Sequence, residues 1–102
     1  MHPAIFQHRS GISAICRRYR IRRLEVFGSA ARSEDFNPVS SDADFLVEFA
    51  HDAEPDLKAF FGAKADLETL LGRSVDLVEP GAVRNPYMLA SINRNRELVY
   101  AA

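Results

Sequence analysis

Three aspartates and one Gly-Ser pair are the residues of this 102-residue chain whose types and spacing could do chemistry. Asp42 and Asp44 flank Ala43 at the head of the run Asp42–Phe49, DADFLVEF. Alternate residues of a strand share a face, so these two carboxylates would point together, with Cα atoms about 6–7 Å apart. Aspartate is poorly suited to strands, and two like charges on one face repel unless something positive sits between them. A divalent cation resolves that repulsion, and hard oxygen ligands suit Mg²⁺. Asp76 is the one charged residue within Val75-Asp76-Leu77-Val78. A carboxylate among apolar neighbours is costly without a partner. If its strand lies beside that of Asp42 and Asp44, three carboxylates converge. Such a triad can hold two metal ions about 3.5–4 Å apart, one activating a nucleophile and the other clamping a phosphate and its leaving group. Taken singly, the Asp-x-Asp pair also fits a solvated strand end, and Asp76 an outward-facing position.

Gly28-Ser29 closes an earlier apolar stretch, Leu24-Glu25-Val26-Phe27. Glycine lets a backbone approach a ligand closely. A helical turn beginning there would offer free N–H groups to phosphate. Ser29 adds a hydroxyl donor, and Arg32 adds a charge one turn later. A Gly-Ser pair alone is most often only a turn, and no GxxxxGK[ST] phosphate loop is present.

The elements that must position these residues follow from periodicity. Ile12, Ile15, Cys16 and Tyr19 recur at helical spacing and predict an amphipathic helix over 10–19. Cys16 is expected there as a small buried hydrophobe, not a nucleophile. Alternation predicts a strand over 22–27, then a short helical turn through Ala30–Arg32. A polar loop around Asn37-Pro38 follows, then a strand over 42–49. Residues 50–56 make a polar connection ending in Pro55, a favourable first helical position. The clearest helix is 57–71, with Leu57, Phe60, Phe61, Lys64, Leu67, Leu70 and Leu71 mostly on one stripe and Gly72 as its stop. A strand is predicted over 74–78, and Glu79-Pro80-Gly81 turns the chain. Asn85-Pro86 caps a last helix carrying Met88, Leu89 and Ile92. A short terminal strand over 97–100 closes the pattern. The order predicts an α/β (α+β) fold, one small domain over residues 1–102 with a mixed central sheet flanked by helices.

Composition limits the alternatives. A hydrophobic share of 47% with 26% charged residues excludes a disordered tail or a coiled coil. One cysteine makes neither an internal disulfide nor a zinc site. No apolar run reaches the roughly 20 residues of a membrane span, and the first residues lack the basic start and apolar core of a signal peptide. A cytoplasmic protein without membrane association is expected. The net charge of −1 gives no reason to expect nucleic acid. It hides an asymmetry, however: six arginines and no acid precede Glu25, which leaves −7 for the remainder. Arg17, Arg18 and Arg20 would suit a helix C-terminus, where cations complement the dipole. A docking patch for an acidic partner or for nucleic acid is the sharper alternative.

The combination is more specific than its parts. A strand ending in Gly28-Ser29, a helical turn, a strand opening on Asp42-Ala43-Asp44 and a later strand bearing Asp76 resembles the nucleotidyltransferases of the DNA polymerase beta superfamily. VFGSAAR, SDADFLVEF and LLGRSVDLVEP together resemble the minimal nucleotidyltransferases, small antitoxin-type proteins usually partnered with a HEPN-domain toxin. Twelve residues separate Ser29 from Asp42, a longer loop than is usual in that family, and Ser33 stands where many members carry glycine.

The resemblance implies Mg²⁺-bound ATP as substrate, with two metal ions. Gly28 and Ser29 would hold the β- and γ-phosphates, with Arg32 nearby. Asp42, Asp44 and Asp76 would ligate metal, and Asp76 would serve as general base. It also implies a tyrosine of the partner toxin as acceptor, silenced by adenylylation within a hetero-oligomer. A chain of this length leaves no room for an acceptor-binding domain, so a docking protein or a second copy is expected to supply the acceptor. Tyr19, Tyr87 and Tyr100 could be self-modified, but each is first read as structural. Two alternatives stand beside this: a non-catalytic binder that neutralises a toxin by masking it, and a nucleotidyltransferase acting on RNA or a small molecule.

Overall fold

A computed structural model of the protein describes residues 2–28, 42–50, 57–82 and 84–102. The predicted turn at Ala30–Arg32, the loop at 33–41 and the connection at 51–56 lie outside them.

The chain opens with a helix the periodicity did not predict, α1 (Pro3–Phe6). His2 caps it: its Nδ1 accepts the Ala4 N–H at 3.0 Å, and Pro3 occupies the first turn. Four residues are too few to show a period, yet the segment buries Ile5 completely. Helix α2 (Arg9–Arg18) follows, burying Ile12 and Cys16 one turn apart. Burial pushes the Cys16 thiol up to about 12, so it behaves as the small hydrophobe predicted. Arg17 and Arg18 do lie in the last turn. Beyond it Arg20 takes a left-handed φ of 58°, the position where glycine is usual.

Four strands form one mixed sheet in the order β3-β2-β1-β4. Strand β1 (Ile21–Phe27) runs antiparallel to both β2 (Ala43–Phe49) and β4 (Glu97–Ala101), while β3 (Val75–Val78) runs parallel to β2. The parallel pair needs a crossover, and α3 (Leu57–Leu71) supplies it. Leu24, Val26, Ala43, Phe45, Val47 and Val75 are buried on one sheet face with Ile12, Cys16, Ala63 and Leu67 from the helices. Each large aliphatic side chain so placed contributes about 1.5–3 kcal/mol.

Helix α3 ends as predicted: Gly72 adopts φ 66° and donates its N–H to the Glu68 carbonyl at 2.8 Å. Its first turn departs from the prediction. Leu57 and Phe61 are exposed, whereas Ala63, Leu67 and Leu71 are buried. Leu57 and Phe61 line an open apolar groove of about 440 Å³ with Phe60 and with Leu77 and Val78 of β3. After a 3₁₀ turn at Pro80–Ala82 comes α4 (Pro86–Asn95), capped as predicted by the Asn85 Oδ1, which accepts the Tyr87 N–H at 2.9 Å. Ile92 anchors this helix in a buried position. Among the described residues no helix is long and apolar enough to cross a membrane.

Candidate active site

Strand pairing sets the site. Asp44 stands opposite Phe27 of β1 on one side and opposite Asp76 of β3 on the other. The two aspartates therefore share a face of the sheet, away from the core that Ala43 and Phe45 fill. Glu68 fixes β3 in this register. Its carboxylate accepts the Val75 N–H at 3.2 Å and a hydrogen bond from Lys64 at 3.2 Å, and these two bonds hold it below the usual carboxylate range.

The resulting electrostatics are unfavourable for a bare carboxylate. Asp44 is pushed up to about 6. Partial burial is the main cause, followed by the charge of Asp76, a hydrogen bond with Asp76 and the charge of Asp42. Asp42 and Asp76 are exposed. Gly28 completes the wall. Its φ is +70°, and a Cβ there would lie 2.8 Å from the Asp44 Oδ2. The glycine is thus required twice, by its left-handed backbone and by the carboxylate packed against it.

The structure brings together Gly28, Asp44 and Asp76, with Asp42 close enough for its charge to act on Asp44. Among the described residues no three histidine, cysteine or acidic side chains are closed around one point as a finished metal cluster. The donor set nevertheless suits a hard divalent cation, because it consists of carboxylate oxygens and holds Asp44 half-buried beside the charges of Asp76 and Asp42. Ser29 and Arg32 lie outside the described residues.

Two features of this face escape sequence reasoning. Glu25, opposite Leu46, is only 8% exposed. It is held by Arg23 at 2.9 Å and by Arg96 at 3.2 Å, which ties the residue after α4 to the sheet. The alternation of Arg23-Leu24-Glu25-Val26 does place Arg23 and Glu25 on one face. Arg96 comes from the other end of the sequence and gives no such signal.

Residues 9–99 match the model of the nucleotidyltransferase domain family. Two proposed protein adenylyltransferases of Methanocaldococcus jannaschii are 42% and 34% identical to the chain over 83 residues, covering 81% of it and 79% of each relative. The structure of a proposed minimal nucleotidyltransferase superposes with a TM-score of 0.73 at 31% identity, covering 95% of both chains. The fold is also shared, at 17% identity and a TM-score of 0.64, with a chain in the complex of tri-AMPylated Shewanella oneidensis HEPN toxin and MNT antitoxin, covering 96% of this chain and 73% of that one. A toxin–antitoxin structure with AMP-PNP gives a TM-score of 0.68 at 19% identity, with coverage of 92% and 73%.

Proposed function

The chain belongs to the nucleotidyltransferase domain family, as an enzyme of its minimal branch, and from that premise we propose that it transfers AMP from Mg²⁺-bound ATP to a tyrosine of a partner HEPN-type toxin, acting as the antitoxin of the pair. The observation that carries this reading is the Asp44–Asp76 pair across β2 and β3, with Asp44 raised first by burial and then by its acidic neighbours. Asp42, Asp44 and Asp76 are the residues that would hold metal. When bound, Mg²⁺ supplies the positive charge that these carboxylates lack and that a triphosphate needs. By the family resemblance, Gly28 and Ser29 would receive the β- and γ-phosphates, with Arg32 as a further nucleotide-binding residue. Asp76 takes the proton of the acceptor hydroxyl as its oxygen attacks the α-phosphorus, and pyrophosphate leaves. The adenylyl donor and protein acceptor are supported by the names of the Methanocaldococcus jannaschii relatives and by the tri-AMPylated toxin complex that shares the fold.

Incubation with α-labelled ATP, Mg²⁺ and a HEPN-type protein from the same genome tests the proposal. Label on a tyrosine of that protein, located by mass spectrometry, is the expected result. Neutralisation of the partner with no label on any protein supports a masking binder instead. Label confined to RNA or to a small molecule supports a different acceptor class.

A further inference from the structure

The chain contains three tyrosines, and the structure gives two of them structural work. The Tyr19 hydroxyl donates to the Asp66 Oδ2 at 2.8 Å, and its ring lies where a Cβ on Gly62 of α3 would touch it at 2.8 Å. Tyr100 pairs with Leu24 in the sheet and packs against the core. Tyr87 differs. It is 86% exposed, and its backbone N–H is held by Asn85, while its hydroxyl makes no hydrogen bond among the described residues. A large aromatic ring left in water contributes nothing through burial, so packing does not account for this residue. Its presentation is nonetheless fixed: Pro86 and the Asn85 cap define the helix start, and Ile92 and Arg96 tie down the other end of α4.

We infer that Tyr87 is itself an adenylyl acceptor, modified in trans by a second copy of this chain. The inference rests on the adenylyl-transfer reading above and adds a modification site to it. Transfer needs the attacking oxygen about 3–3.5 Å from the α-phosphorus. Asp42 and Asp76 are exposed, so a phenol projecting from the surface of one copy can be presented to the carboxylates of another. In the reaction the phenolic oxygen bonds to the α-phosphorus of ATP. The bond from that phosphorus to the bridging oxygen breaks, pyrophosphate leaves with the electron pair, and the phenolic proton passes to Asp76 of the modifying copy. The product is a tyrosyl-AMP phosphodiester in the first turn of α4, where the helix dipole favours added negative charge.

The test mixes two variants with Mg²⁺ and ATP: Tyr87→Phe, which keeps the site and lacks the acceptor, and Asp76→Asn, which keeps the acceptor and lacks the base. One AMP group on Tyr87 of the Asp76→Asn chain, absent when either variant is incubated alone, is the expected result. Labelling of the wild-type chain without labelling of the mixture would overturn transfer in trans, and AMP on Tyr19 or Tyr100 would overturn the assignment to Tyr87. An unmodified Tyr87, with Tyr87→Phe still adenylylating the HEPN partner, would sink this inference and leave the parent reading standing. Loss of transfer to both acceptors would overturn the two together.

Discussion

Two carboxylates on one face of the sheet meet opposite fates. Glu25 on β1 is nearly buried and carries a guanidinium on each oxygen: Arg23 on Oε1 and Arg96 on Oε2. Asp44, on the neighbouring strand, is half-buried beside Asp76 with the charge of Asp42 also acting on it, and burial followed by these charges raises it to about 6. The first arrangement is complete within the protein and joins the sheet to the end of α4. The second is an accumulation of like charge that folding alone does not reward. A chain able to neutralise Glu25 so fully could do the same at Asp44. Among the described residues no cation does so, and this is the physical case for a site held ready for an external cation and its phosphate ligand.

The largest expected effect separates chemistry from binding at the unneutralised group. Asp76→Asn keeps the shape and removes the proposed proton acceptor. Adenylyl transfer should fall by about 10²–10⁴-fold, while calorimetry should show nucleotide binding reduced far less. Full transfer by this variant would remove Asp76 from the mechanism.

A smaller effect breaks the neutralised side. Glu25→Ala leaves Arg23 and Arg96 facing each other without their shared anion. Both guanidinium groups retain access to water, at 42% and 44% exposure, so the cost should be about 1–2 kcal/mol in urea unfolding. An unchanged midpoint would show that the clamp holds nothing.

The third effect has the opposite sign. Asp44→Asn should stabilise the metal-free protein by about 1 kcal/mol at neutral pH, after allowance for solvent screening of a half-buried group. The pH dependence follows from the same shift. The folded state holds the Asp44 proton up to about 6, whereas an unfolded aspartate releases it near 3.9. Folded protein therefore binds more protons across that interval, and the Asp44 contribution falls as pH rises from about 4 through 6. Comparison of wild-type and Asp44→Asn melting curves across that range should show the loss in the wild type alone. Parallel curves would place the cost elsewhere.

The legible and illegible parts of this molecule divide by sequence distance. Local signals located the helix stop at Gly72, the cap at Asn85-Pro86, the buried Cys16 and the order of strands, because each depends on neighbours within a turn or two. The juxtaposition of Asp44 with Asp76 needed a parallel pairing across a helical crossover. Spacing alone could state it only as a condition, and resemblance to a known motif order supplied the rest. The Glu25–Arg96 contact bridges the sequence with no motif to announce it. The exposure of Leu57 and Phe61 is not legible in the sequence, because a helical stripe does not disclose which of its residues the sheet covers. Helix α1 was missed because a histidine cap and four residues carry no period.

The most direct test of the central claim is thermal unfolding with and without Mg²⁺ and a non-hydrolysable ATP analogue, in the wild type and in Asp42→Ala/Asp44→Ala. At a ligand concentration 100 times its Kd, binding to the folded state alone adds about 2.7 kcal/mol. The wild type should show a melting shift of that size only when nucleotide and Mg²⁺ are both present, and the double variant should lose the Mg²⁺-dependent part. An undiminished shift in the double variant would contradict the assignment of these carboxylates as the metal–nucleotide site.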